Sequence, residues 1–166
     1  MVVNTGSKQV MLDTPKGAKK IGEIVMMGQI LTGTYQGSEN RLQLFDGKFS
    51  TGYRVIAFDM CPKFIQGSQE IEAVLSTEPK SGLGTWNWQD SQEIAWAAWN
   101  VPTTSRHGKY DFIRPDNMII EDLYIRGYCA AEAVNMNYMI TLEKYEFPEW
   151  MGAGFLVENL GQAGPN

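Results

Sequence analysis

The single histidine, His107, sits in TTSRHGKY among Ser, Arg, Gly and Lys. One imidazole can serve as a lone acid or base. It cannot build a multi-histidine metal cluster, and no HExxH motif is present. Its polar neighbours read as a solvated loop. The carboxylates offer no better pair. Glu121 and Asp122 are adjacent in a predicted strand and so face opposite sides, and Glu143 and Glu146 fall on different faces of another. A glycosidase sets two carboxyl groups across a cleft, and no spacing here signals that. Asp13, Asp46, Asp90 and Asp116 are scattered loop acids, without the oxygen-rich loop that calcium needs. Gly82-Leu83-Gly84 and Gly152-Ala153-Gly154 lack the GK[ST] ending of a Walker loop and do not extend to GxGxxG. They read as flexible loop or as places where another chain comes close. GxSxG is missing as well. No catalytic residue, metal site or cofactor is therefore expected, and the chain reads as a non-enzyme.

Cys61 and Cys129 are the two cysteines, with no CxxC pair, so neither a zinc site nor a thioredoxin-like site is signalled. Reduced, buried thiols are the favoured reading over one disulfide between them.

Aromatic chemistry remains. SGLGTWNWQDSQEIAWAAWN, residues 81–100, carries four of the five tryptophans. In an extended segment Trp86 and Trp88 face one side. They could stack on sugar rings, with Asn87, Gln89 and Asp90 taking hydroxyl groups. The competing readings are Trp96 in the core and Trp86 and Trp88 at a subunit contact, since Trp and Tyr concentrate at interface centres. The candidates for interface or ligand stacking are Trp86, Trp88, Trp99, Tyr124, Trp150 and Phe155. The nine methionines suit irregular cores or adaptable contacts.

These side chains must be held by strands. Residues 21–31 are expected to be a strand despite Gly22 and Gly28, because both glycines would fall inside a helix. Asp46-Gly47 predicts a hairpin turn. YRVIAFDM, residues 53–60, is apolar on both faces and predicts a central strand, ended by Pro62. Residues 71–76 form the next. Residues 92–99 alternate in the strand sense, with Ile94, Trp96 and Ala98 on one face and Glu93, Ala95, Ala97 and Trp99 on the other. A helix capped by Asp90 is the competing reading there. Residues 101–117 read as a polar connection, residues 118–128 as a strand, and residues 137–147 as the longest late strand with Tyr138, Ile140 and Leu142 turned inward. The sum is an all-β, antiparallel sandwich or barrel, jelly rolls included. Residues 1–20 form an arm or first strands, residues 21–150 the sandwich, and residues 151–166 a tail, so the termini are extended or loop-rich.

The 166 residues carry a net charge of −5 and a pI near 4.9. Charged residues make up 20%, against roughly 25% in ordinary soluble domains. A nucleic-acid footprint needs clustered Lys and Arg, and only Lys8, Lys16, Lys19 and Lys20 gather. They read as a solvated arm. No apolar run nears the roughly 18 residues of a membrane helix, and no signal peptide is expected.

The block MIIEDLYIRGYCAAEAVNMNYMITLEKYEF, with GYRVIAFDMCPKF and QEIEAVLSTEP, resembles small all-β virion proteins of phages and environmental viruses. The resemblance implies a capsid, decoration or tail subunit that works by self-association or by contact with other virion proteins. It implies assembly in a host cytoplasm and residence in the virion, with no active site to carry over. A carbohydrate-binding or receptor-recognition module built on the Trp-rich segment is the alternative.

Overall fold

The computed structural model describes residues 14, 16–33, 38–64, 69–80, 86–101 and 108–161. His107, Lys8, Asp13 and the Gly82–Gly84 stretch lie outside them. In chain order the elements are β1 (Lys19–Leu31), β2 (Ser38–Leu42), β3 (Thr51–Pro62), β4 (Gln69–Ser76), β5 (Glu93–Val101), β6 (Gly108–Ile113), β7 (Leu123–Cys129), β8 (Asn135–Glu146) and α1 (Glu149–Gly161).

Two antiparallel sheets form a sandwich-like arrangement. One has the order β1-β8-β3, the other β2-β7-β4-β5-β6. Period-two patterning explains the packing. In β8, Met136, Ile140 and Leu142 are fully buried, and Tyr138 packs beside them. In β1, Ile24, Met26 and Ile30 turn to the same core. Across from them stand Ile71, Ala73 and Leu75 of β4, Ala95 and Ala97 of β5, and Leu123 and Ile125 of β7. Small residues let the layers approach. A methyl group at Gly127 would meet Ile30 and Thr32 at 3.2 Å and Met136 at 3.3 Å. Cys61 and Cys129 are free thiols.

Several expectations change. Asp46-Gly47 is a turn, with Gly47 at φ 84° and the Asp46 carboxylate accepting from the Lys48 amide at 3.1 Å. It joins no hairpin, because β2 pairs with β7 and β3 with β8. The turn carries the chain from one sheet to the other. β3 is not central but ends its sheet. Its apolar outer flank is covered by the segment after β6. Asn117 pairs its side-chain amide with the Val55 N–H at 2.8 Å and C=O at 3.3 Å, and Ile119 exchanges both backbone bonds with Tyr53 at 2.8 Å. Residues 118–122 are therefore this buried crossing rather than strand, and β7 begins only at Leu123. The supposed polar connection contains β6.

The C-terminal tail is not loop-rich throughout, since residues 149–161 form α1. Met151 and Phe155 bury it against Met118, Ile120, Tyr145 and Phe147, with the Phe147 and Phe155 rings edge-on at 5.4 Å. Gly152 and Gly154 sit inside this helix, not in a flexible loop.

One ionic cluster ties the first sheet across its strands. Glu143 of β8 accepts from Lys20 of β1 at 2.9 Å, from Arg54 of β3 at 2.6 Å and from the Tyr145 hydroxyl at 2.6 Å. Burial pushes its carboxyl up, but the bonds from Lys20, Tyr145 and Arg54 prevail and hold its pKa at about 2, against an ordinary 4.5. Below 4.5 the unfolded chain binds the proton first. The stabilisation is thus complete above 4.5 and lost as the pH falls through about 2. Denaturant midpoints measured from pH 6 down to pH 2 should fall with acid, and the fall should be shallower in Glu143→Gln. An equal slope in both proteins would show that this cluster does not carry the effect.

Candidate functional site

The tryptophans are divided between the two faces of β5. Trp99 is half-buried against the main core between the sheets. Trp96 points the other way, outward from the five-stranded sheet, yet is 1% exposed. Strand register explains what stands beside it. Val74 of β4 and Phe112 of β6 flank Trp96, and Arg126 of β7 flanks Val74. Trp88, from the turn before β5, lies over this row. Its ring stacks on Phe112 at 5.2 Å and 17° and meets Trp96 at 6.0 Å. The Arg114 guanidinium lies 5.8 Å from the Trp96 ring centre and bonds the Trp88 and Asp90 carbonyls at 3.0 Å.

A polar node sits under the same turn. The β4–β5 register slips between Leu75 and Ser76, so Ser76 faces Glu93 while Leu75 faces Ala95. This irregularity moves Glu93 to the Trp96 side, against simple alternation. Its carboxylate accepts from the Trp96 indole at 2.9 Å, the Asn87 amide at 2.8 Å and Arg126 at 3.2 Å. Glu93 and Arg126 are both buried. Lys80 clamps the covering segment, bonding Asp90 at 2.8 Å and reaching the Gln92 side chain, while its amide donates to Glu39 at 2.7 Å. Such a node positions the surface above it; its own atoms face no open space.

The aromatic surface above is exposed. Trp88 is 59% accessible, and Tyr110 and Phe112 of β6 share its side of the sheet and are open as well. Next to Tyr110 in register is Ala98, and next to Ala98 is Glu72 of β4. Burial and then the nearby Glu70 push the Glu72 carboxyl up. Flat aromatic plates beside acceptor oxygens can hold the C–H face and hydroxyls of a sugar. Trp86 does not join this plate as expected. The chain turns back through the 3.0 Å bond from Asp90 N to Asn87 O, leaving Trp86 half-buried and Trp88 in the open. The chain matches no family model, no curated protein and no solved structure.

The other candidates are elsewhere. Tyr124 lines a cleft of about 220 Å³ with Arg41, Thr77, Glu78, Glu121 and Asp122. Burial raises the Asp122 carboxyl, but the Phe45 and Leu44 amides and Arg41 outweigh it, so the net shift is downward. Trp150 is 74% exposed at the start of α1, and Phe155 is spent on the helix packing. Among the described residues, no group of three or more His, Cys, Asp or Glu side chains is placed to hold a metal ion, and no helix is long and apolar enough to cross a membrane.

The second exposed surface was not singled out in the sequence. It is the outer face of β1-β8-β3. Val25 is 56% and Met27 74% exposed, with Ile21 and Leu31 open beside them. Met139 and Thr141 of β8 and Ala57 of β3 continue the face in register. The signal was present in KKIGEIVMMGQIL, which carries apolar residues on both sides of a strand whose position at the sheet edge the sequence does not reveal.

Proposed function

We propose that the protein is a structural subunit of a virion or comparable homo-oligomeric assembly, put together in a host cytoplasm and acting through protein–protein contacts. The observation that carries this reading is the exposed apolar side of β1 on an edge strand of 13 residues. Long apolar edges template pairing with another chain, and proteins that stay monomeric blunt them with charge, proline or short length. Here the middle of the edge is Val25-Met26-Met27. Large exposed apolar surface marks an interaction site, and symmetric repetition of one contact is the usual route to an assembly.

The finer architecture we propose is jelly-roll-like. An eight-stranded jelly roll is a long hairpin, pairing first with last strand inward to the middle, rolled into two sheets. The ladders β1·β8, β2·β7 and β4·β5 follow that scheme. β6 pairs with β5 instead of β3, and touches β3 through the ion pair of Lys109 with Asp59. Jelly rolls serve capsids and lectins alike, so the surfaces decide between readings. The open Trp88, Tyr110 and Phe112 plate supports the second reading, a carbohydrate-binding or receptor-recognition module.

Light scattering and negative-stain imaging over a concentration series test the first reading. Particles larger than the 18.6 kDa chain are expected to grow with concentration. Met27→Glu, at an exposed site, should weaken association by about tenfold or more, the equivalent of 1.4 kcal/mol, and should leave the melting temperature unchanged only at concentrations low enough for both proteins to be monomeric. A chain that stays monomeric, and binds a glycan array in a manner lost in Trp88→Ala, replaces the first reading with the second.

A further inference from the structure

If the chain self-associates as proposed above, its edge strand specifies a partner strand and a register. We propose that β1 pairs with β1 of a second copy, antiparallel about a two-fold axis at Met26, joining two three-stranded sheets edge to edge.

The two edges of this sheet are unlike. The free flank of β3 is engaged at its start, where Ile119 bonds Tyr53 and the Asn117 amide bonds Val55. β1 is bonded to β8 along its length, from Lys19 opposite Glu146 to Leu31 opposite Asn135, and among the described residues no strand lies on its other side. A two-fold partner needs a self-complementary edge, in which a residue on one side of the axis meets its counterpart from the other. The exposed apolar residues of β1 are Ile21, Val25, Met27 and Leu31. They are arranged symmetrically about Met26: Val25 mirrors Met27, and Ile21 mirrors Leu31. Between them, Glu23 mirrors Gln29.

An axis at Met26 therefore sets Val25 against Met27 of the second copy, twice by symmetry, and Glu23 against Gln29 without opposing like charges. Ile21 and Leu31 close over the two ends. Ile21 is the extra residue where the β1–β8 register slips between Lys20 and Gly22, so the regular ladder spans residues 22–30. The core-facing side is complementary too. Gly22 meets Ile30 and Ile24 meets Gly28, a small residue against a large one each time. The ring of Tyr138 lies over Gly28 and offers the incoming Ile24 an aromatic surface.

Neighbouring registers do worse. An axis at Val25 sets Glu23 against Met27 and Ile21 against Gln29. An axis at Met27 sets Val25 against Gln29 and Glu23 against Leu31. Each cross-strand pair contributes about 0.2–1 kcal/mol, and of these three axes only the one at Met26 opposes both exposed apolar residues of the regular ladder, Val25 and Met27, to an apolar partner without setting either against Glu23 or Gln29.

Cysteine pairs read the register directly. Residues directly opposite in an antiparallel pair have Cβ atoms about 4.5–5.5 Å apart, and diagonal neighbours about 7–8 Å. A disulfide spans about 3.5–4.5 Å between Cβ atoms. In a Cys61→Ser background, oxidation of a mixture of Val25→Cys and Met27→Cys chains should give several-fold more covalent dimer than either chain alone. Sedimentation of the unmodified protein should show a dimer at the same concentrations. A sedimenting dimer whose strongest cross-link comes from Val25→Cys alone or Met27→Cys alone overturns the Met26 register while self-association stands. A monomer at every concentration overturns both.

Discussion

Replacing Glu93 with alanine is expected to cost about 3–5 kcal/mol, the loss usual when one partner of a buried ion pair is removed. Glu93 and Arg126 are among the most buried charged residues of the chain. The carboxylate also takes the Trp96 indole N–H and the Asn87 amide. Its removal therefore strips the charge opposite Arg126 and the acceptor for two donors in one step. For a chain of this size the melting temperature should drop by roughly 6–20 °C. Glu93→Gln keeps an oxygen for Trp96 and Asn87 and should lose less. Tryptophan emission should move to the red in Glu93→Ala, because Trp96 loses its partner and the covering turn loses its anchor at Asn87. Replacement of the whole pair by apolar residues should recover much of the loss, since a buried ion pair rarely adds net stability over a packed apolar core. A loss below about 1 kcal/mol for Glu93→Ala would mean that Arg126 finds water when its partner goes.

The second expected result is a difference of sign inside one helix. Glycine in a helix interior is about 0.5–1 kcal/mol worse than alanine, so Gly→Ala in α1 should stabilise wherever there is room. At Gly154 a methyl group would meet nothing within 4 Å, and Gly154→Ala should gain about that amount. At Gly152 it would overlap the Phe49 carbonyl oxygen, with the carbonyl carbon 2.8 Å away and Phe147 at 3.1 Å. That neighbour is backbone, in the turn leading into β3, and cannot swing aside. The helix must lift, and Met151 and Phe155 then lose contact with Tyr145 and Phe147. Overpacking costs about 1–3 kcal/mol, which outweighs the gain in helix propensity. Gly152→Ala should lower the melting point and speed proteolysis near α1, while Gly154→Ala does the opposite. Two variants that shift stability alike would show that α1 does not rest against Phe49.

The strand expected at residues 92–99 forms because its alternation is regular and Ala is too small to fix a helix face by itself. The two-faced alternation failed at the start of the strand, where the irregularity opposite Ser76 turned Glu93 to the Trp96 side and Ile94 joins Ala95 in the main core. The Asp46-Gly47 turn was legible, but the hairpin expected around it does not form. Turn chemistry specifies the local backbone angles, whereas the partner of each flanking strand depends on which distant strand buries its apolar side. Residues 108–113 read as a connection for the same reason: GKYDFI is exposed at four of its six positions and gains its ladder only from β5. Helix α1 is not legible in the sequence because glycines interrupt its apolar residues, and packing on Phe147 rather than propensity holds it.

Alternation of side-chain direction, with turn residues between, determined from sequence alone that this chain makes antiparallel sheets around an apolar centre. Periodicity is a local property, set by the geometry of one extended strand. Which strands become edges, which aromatic rings reach the surface and which carboxylate is buried beside an arginine were decided by the tertiary structure. Those outcomes depend on pairings between residues far apart in the chain. Met27 shows the division most clearly: its sequence neighbours make it strand, and only the packing of the two sheets, which turns Ile24, Met26 and Ile30 to the core, leaves its side chain on the open outer face.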